Sequence, residues 1–559
     1  MVRATSHRRT PIIAAAGLLT LVACGGQQAQ TTSPSGTSEA PQASDGPAAE
    51  AGPTLSIAYE PDIQSMDPAI AYDYVSITAV HLVFESLVGY DDGTTLVPVL
   101  AEEMPAVSDD GLTYTFTLRE GVSFVNPDGS VLKEMTADDV AYSLNRILNP
   151  NLTPTPSPVA GAFFIQIEGG QDVIDGNADE ASGIEVIDDR TIAITITAPN
   201  RAFLNVLAMT FGSVVPEGTG EDTAAFSEAP IGTGPYYLES YTSGDEARLV
   251  RNPHYWGEAP PSDVISFQVG VDTATQTQRV QANELDITGD SVPTGLLQEV
   301  RGPDYVDRLH ESAIVAVNYV AINNAVEDPP LNDVLVRRAI AHAIDKENLI
   351  EVTGGRGEVA NCIFPPAMDA YDPDCNPYPY DPDRARELLA EAGVSDGFST
   401  SYYTDPSEDS RALAQAIQQD LAAVGIEIEI VTQEFDVLIE TILAEPGVPL
   451  LGIAWLQDYP DPSDFYDPIL SCAAIAPAGF NTAWACSEEA DALAAEALGM
   501  QDVAERADAY REVQRLFMDE VLYVPTTYPE QTALVSERMD NFYLHPVWLF
   551  DLAKYTVSE

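Results

Sequence analysis

The chain has 559 residues, 45% of them apolar, with 25 Lys plus Arg against 88 Asp plus Glu and a net charge of −63. Such a length implies more than one domain or lobe, and the apolar fraction is that of a globular chain rather than a disordered one. Phosphate recognition needs clustered Lys and Arg, so this balance excludes nucleic acid as a partner and argues against a basic patch for anionic lipid.

Only Lys133, Lys346 and Lys554 are lysines, and the acidity reads as a solvated surface.

The N-terminus carries an address. Arg3, Arg8 and Arg9 precede an apolar run from Ile12 to Val22, then Ala23 and Cys24. A basic start, a short apolar run and a small residue make a secretory signal over 1–23, and the run is too short to span a bilayer. The ending Leu21-Val22-Ala23-Cys24-Gly25 resembles the lipobox of bacterial lipoproteins, which implies diacylation of Cys24 and an otherwise soluble protein held at the outer face of the cytoplasmic membrane. Residues 24–53 are Gln, Thr, Ser, Ala, Gly and Pro with little to bury, a flexible tether reaching roughly 30 Å. Cys362, Cys375, Cys472 and Cys486 fall in two local pairs. Outside the cell they read as the disulfides Cys362–Cys375 and Cys472–Cys486, each worth ~2–3 kcal/mol, and the spacings do not match zinc ribbons.

In the body, Leu112–Leu118 alternates with period two after the turn Asp109-Asp110-Gly111, which predicts a half-buried strand. Thr136 caps a helix with Asp138 and Asp139 in its first turn and Val140, Leu144, Ile147 and Leu148 on one face. Ile184–Ile196 reads as a hairpin broken at Asp188-Asp189. Asn332–Ile350 reads as one helix with Val336, Ile340, Ala343, Ile344 and Leu349 inward. Asp381–Gly393 begins with a cap and Pro and ends on Gly, and Ser410–Val424 is a further helix before the strand Ile426–Val431. Val448–Ile453 is an apolar strand whose Pro449 implies an edge position or a late start, leading into a loop over Gln457–Asp464. Asp502–Glu520 is a long amphipathic helix and Leu522–Pro525 a short strand.

No catalyst emerges. His81 and Glu85 share a helix face without a second histidine, Ser130–Lys133 matches S-x-x-K without a K-T-G, and Gly232-Thr-Gly234-Pro235 reads as a tight turn. Asp458, Asp461, Asp464 and Asp467 recur every three residues, unlike the every-second-residue ligands of an EF-hand. The expectation is no enzyme, no metal site and no cofactor.

Leu112–Phe124 with Met135–Arg146 resembles the signature of the family-5 extracellular solute-binding proteins, the peptide-, dipeptide- and nickel-binding components of ABC importers. Pro230–Tyr236, Arg251–Trp256, Asn332–Lys346, Tyr380–Gly393 and Trp455–Pro462 follow in family order. Val125–Ser130 departs from the family as a longer turn. The resemblance implies an α/β two-lobed clamshell of the enlarged periplasmic-binding-protein type. Lobe 1 would take 54–318 plus 527–559, with a subdomain at about 98–228, and lobe 2 would take 319–526. Crossovers near Val320–Asn323 and Thr526–Tyr528 would form the hinge.

By the same resemblance, Asp458 pairs with a peptide's α-ammonium, against the alternative of a turn-capping aspartate. Trp455 either presents its ring to the ligand or packs the lobe core. Leu470–Cys486 looks like the disulfide segment of the dipeptide-binding branch, in which Arg411, six residues before Ile417-Gln418, has the place of the arginine that takes the ligand carboxylate; a surface arginine is the other reading. Tyr528, at the hinge, is a further ligand candidate or hinge packing. The implied partners are a short peptide and an ABC permease with cytoplasmic ATPases, served by a monomer. The alternatives are an oligosaccharide, opine or metal chelate in the same importer class, or a peptide-sensing or chaperone lipoprotein without transport.

Overall fold

The computed structural model describes residues 52–327, 329–476 and 479–558. The signal, Cys24 and the tether up to residue 51 lie outside them.

Alternating apolar residues build the first lobe. Thr54–Ala58 sits in a five-stranded sheet between Val264–Gln268 and Ile287–Thr288, parallel to both, with Glu246–Arg251 and Tyr236–Thr242 completing it antiparallel. Leu55, Ile57, Leu249, Ile265 and Phe267 from its strands are buried with Val75 and Val80 of the helix Tyr74–Val83, with Phe84 just beyond it, and with Phe550 and Tyr555 near the C-terminus. A second, four-stranded antiparallel sheet contains Thr113–Thr117, whose alternate burial matches its period, and the hairpin Ile184–Asp188 with Thr191–Thr195. The helix Ala137–Leu148 follows Thr136, and the Asp139 carboxylate reaches back to accept the Thr136 N–H at 2.9 Å. Its apolar face is buried with Phe116, Ile192 and Ile194. At its last turn Arg146 forms a buried pair with Asp67, tying this layer to the first sheet.

The second lobe is built on a six-stranded mixed sheet in the order Glu358–Val359, Tyr523–Tyr528, Ala316–Ile322, Leu450–Leu456, Phe398–Thr404, Ile426–Thr432. Pro449 stands just before Leu450, so the strand starts late, but it is central rather than at an edge. Asn332–Ile350 is not one helix. Val334–Ala343 stops at Ile344, whose ψ is 119°, and Asp345 caps a second helix, Lys346–Val352, by accepting the Asn348 N–H. The residues expected inward are buried in both helices, because the break keeps the apolar face aligned. Pro382–Glu391, Glu408–Ala423 and Val503–Glu520 lie as read from the sequence. The proline-rich loop after Leu456 folds back into a short helix, Pro462–Tyr466, with Asp461 as its cap and Pro462 at its start.

Two passages join the lobes. Leu309–Ala313 pairs with Glu530–Leu534, after which the chain enters Ala316–Ile322 on one side and leaves Tyr523–Tyr528 on the other. The change of sheet therefore falls at 314–315 and at Pro529, where Ile314 N–H donates to Pro529 O. The positions expected for it, Val320–Asn323 and Thr526–Tyr528, are mostly strand. On the central strand Leu450–Leu456, a Cβ at Gly452 would run into the hydroxyl of buried Tyr402. Gly452→Ala is expected to lower the free energy of unfolding by about 1–3 kcal/mol, read from the midpoint of a urea melt.

Candidate ligand-binding site

Strand Leu450–Leu456 ends at the face of the second lobe that meets the first, and Asp458 lies two residues beyond it. Tyr72 of the first lobe donates its hydroxyl to Asp458 Oδ2 at 2.9 Å, across 386 residues of sequence. Gln457 Nε2 donates to Pro546 O at 2.6 Å beside it, so the cleft is closed here. A space of about 60 Å³ adjoins Asp458, walled by Tyr74, Thr78, Met209, Phe211 and Trp548. At ~30 Å³ per water, that is room for about two.

Three further aspartates follow Asp458 in the same segment. Asp464 is fully buried, and its Oδ2 accepts the Asp458 N–H at 2.9 Å and the Trp455 Nε1–H at 3.4 Å. Asp461 forms a bidentate pair with Arg506 at 2.7 and 2.8 Å and also caps Ser463. Arg506 in turn donates to Ala497 O, and its guanidinium lies over the Tyr510 ring. Its charge is thus matched by Asp461, and no described Lys, Arg or His forms an ion pair with Asp458, Asp464 or Asp467. Burial pushes Asp458 and Asp467 up to about 7, and burial together with the neighbouring Asp458 carboxyl holds Asp464 well above the usual carboxylate range. Removing Arg506 would strand Asp461 as a buried, unpaired charge. Arg506→Met is expected to destabilise the protein by about 3–5 kcal/mol, measured by urea denaturation.

The other residues singled out from the sequence lie elsewhere. Trp455 is buried in the second-lobe core, 6.0 Å from Phe480 between ring centroids, and reaches the site through Asp464 rather than through the wall of the small space. Arg411 is exposed on the first turns of Glu408–Ala423; its N–H donates to Ser407 O, and its side chain takes part in no hydrogen bond or ion pair among the described residues. Two residues before it, Asp409 accepts from Thr294 of the first lobe at 3.0 Å and from buried Arg356 at 2.5 Å. Tyr528 is buried, its hydroxyl donating to Cys362 O at 2.7 Å and Phe364 O at 3.1 Å. Cys362 is joined to Cys375 and Cys472 to Cys486, with Cα atoms 6.2 and 5.0 Å apart.

Residues 95–477 match the model of the bacterial extracellular solute-binding proteins, family 5. The chain belongs to this family. It is 30% identical over 523 residues to di/tripeptide-binding protein 2 of Pseudomonas aeruginosa, covering 90% of this chain and 94% of that one. At the same 30% identity, over 496 residues, it resembles heme-binding protein A of Haemophilus influenzae, covering 86% of this chain and 88% of that one. A periplasmic binding protein associated with an ABC transporter of Helicobacter pylori, solved with the peptide STSA, superposes with a TM-score of 0.80 at 25% identity, covering 91% of this chain and 98% of that one. The fold is the two-lobed clamshell of these proteins, and the family is one of non-catalytic binders.

Several segments that mark this solute-binding protein in sequence converge on one buried carboxyl that the sequence reading missed. Glu85 accepts hydrogen bonds from Thr233 at 2.9 Å, Tyr255 at 2.9 Å and Trp256 at 2.8 Å, and Asn252 clasps Gly234 O. The Gly-Thr-Gly-Pro turn and the Asn-Pro-His-Tyr-Trp segment are therefore two halves of one brace. Burial pushes Glu85 up to about 7 against those three donors. The brace borders a cavity of about 600 Å³ within the first lobe, which shares Thr210 and Trp548 with the space at Asp458. Among the described residues no three His, Cys, Asp or Glu are grouped to hold a metal, and no helix is long and apolar enough to cross a membrane.

Proposed function

We propose that this solute-binding protein captures short peptides between its lobes and delivers them to the permease of an ABC importer, with cytoplasmic ATPases driving uptake. The observation that carries the reading is Asp458: a carboxyl in the closed cleft that accepts the Tyr72 hydroxyl of the first lobe while its own N–H is held by Asp464, with no cation among the described residues to match it. A buried carboxylate needs a cation, and the α-ammonium of a peptide supplies one with three donors. The di/tripeptide-binding relative from Pseudomonas and the Helicobacter protein with its bound STSA support a peptide, while the heme-binding relative at equal identity makes Asp458, rather than overall likeness, the deciding feature. The space of about 60 Å³ is smaller than any dipeptide, so entry requires the lobes to part about the paired passages at 314–315 and Pro529. Affinity and closure are then one equilibrium.

The reading extends to a lobe division near that expected from the sequence but with its boundaries moved to the passages at 314–315 and Pro529, to a lipid anchor on Cys24 that keeps the receptor at the outer face of the cytoplasmic membrane, and to Arg411 as a cation at the cleft margin for the ligand carboxylate. Native mass spectrometry of protein lacking residues 1–24, followed by gentle denaturation, tests it. Co-purifying masses of di- to pentapeptides are the expected result. A single non-peptide mass, or an empty protein indifferent to peptide mixtures, would move the ligand to a chelate, an opine or a sugar.

A further inference from the structure

Asp464 has an oxygen with nothing to bind. Its Oδ2 is occupied by the Asp458 N–H and the Trp455 indole, while Oδ1 is buried with no hydrogen-bond partner among the described residues. Its Oδ2, 2.9 Å from the Asp458 nitrogen, sets the two carboxyls side by side, and the Asp464 side chain is fully shielded from solvent. The groups that bear on this pair are Tyr72 from the first lobe, Tyr90 on the strand Val88–Tyr90, and Tyr459 and Asp461 of the same segment; behind Asp461 stand Asp467 and, from Val503–Glu520, Arg506 and Tyr510. The one cation in that set, Arg506, is held by Asp461. Asp464 is buried and Asp458 half-buried, and two adjoining carboxyls in the closed cleft without a cation cannot both be ionised, since each charge raises the cost of the other.

We propose that Asp464 is the second member of the ammonium anchor: in the empty cleft one proton is held between the Asp458 and Asp464 carboxyls, and an incoming peptide ammonium replaces it. The inference rests on the peptide reading for its ligand and on geometry for the pair. The exchange balances. The singly protonated pair carries one negative charge, the ammonium brings one positive charge, the released proton goes to buffer, and the loaded site keeps a net charge of −1. Capture of an ammonium is thereby coupled to proton release, so affinity rises with pH up to the point where the pair ionises by itself. A neutral ligand that only hydrogen-bonds to the pair would release nothing.

Two measurements decide it. Calorimetric titration with the dipeptide Ala-Ala at pH 6, repeated in phosphate and MES buffers, is expected to show release approaching one proton per peptide and an affinity rising up to tenfold per pH unit between pH 5 and 6.5. In Asp464→Asn, which keeps an acceptor for the Asp458 N–H and sets an amide beside Asp458, the release is expected to fall by at least half and the pH at which affinity levels off to drop by about one unit. Buffer-independent heat in the native protein overturns the proposal, and so does an unchanged release in the variant. The second measurement needs no ligand: carboxyl ¹³C titration of labelled aspartates in the native protein should show two resonances moving together near neutrality, both displaced in Asp464→Asn. Independent titration of the two carboxyls overturns the pairing. Absence of heat with any peptide fails the peptide reading instead, and the ligand-free titration still decides the pair.

Discussion

Asp458→Asn is expected to raise the dissociation constant of a bound dipeptide by roughly 30- to 5,000-fold at pH 7, the range for removing one partner of a buried charged pair. The substitution keeps the shape of the side chain and an oxygen to accept the Tyr72 hydroxyl, so the loss is of charge rather than of packing. Most of the effect should fall on the dissociation rate, because encounter is unchanged while the held state loses its ion pair. The empty protein should be no less stable, since no described Lys, Arg or His forms an ion pair with Asp458. Titration calorimetry gives the affinity and thermal unfolding the stability. An unchanged dissociation constant would remove Asp458 from the site. This contrasts with Arg506→Met, which breaks a pair internal to the protein and should appear as lost stability even in the absence of ligand.

How far the sequence reaches is visible in the segment from Trp455 to Asp467. Its match to a known family singled out Asp458, and local rules placed the strand before it and the long helix Val503–Glu520 that supplies Arg506. What the sequence could not show was contact across distance. Tyr72 lies 386 residues from Asp458, and no local pattern joins them. The spacing of the aspartates at every third position says only that they are unlike EF-hand ligands, yet they divide by role once Pro462–Tyr466 coils: Asp461 caps the helix and holds Arg506, and Asp464 turns inward to Asp458. Trp455 illustrates the limit of likeness, because a residue on a recognised motif can serve the core and touch the site through a neighbour. The helix break at Asp345 was written in the sequence as an Asp followed three residues later by Asn, but unbroken apolar spacing hid it. Glu85, which its spacing puts on a helix face with His81, lies two residues past the end of Tyr74–Val83, and its meaning depends on the three distant donors that meet it.

The ligand-free protein is expected to be more stable at pH 5 than at pH 7.5, the reverse of what its acidity would suggest for a chain held together by ionised carboxylates. Glu85, ordinarily near 4.5, and Asp458 and Asp467, ordinarily near 3.8, are each pushed up to about 7 by burial, and Asp464 shifts in the same direction. Between about pH 4 and 7 the folded protein therefore holds protons that the unfolded chain has released. The stabilisation is complete below the unfolded values and is lost as pH rises through the folded ones. The lowered values of Asp62, Asp92 and Asp272 act oppositely, but those groups are largely exposed and their contribution is lost only at more acid pH. Repulsion within a chain of net charge −63 adds to the fall on the alkaline side. Salt separates the two causes, because at 1 M the Debye length is about 3 Å and surface repulsion is screened, whereas buried carboxyls are not. A drop in unfolding midpoint on the order of 5 °C from pH 5 to 7.5 should thus persist at 1 M NaCl, and Asp467→Asn should reduce it. Equal midpoints at high salt would mean that the buried carboxyls find other protons or partners. A saturating peptide should shrink the drop, since its ammonium gives Asp458 and Asp464 the positive charge that the fold itself withholds.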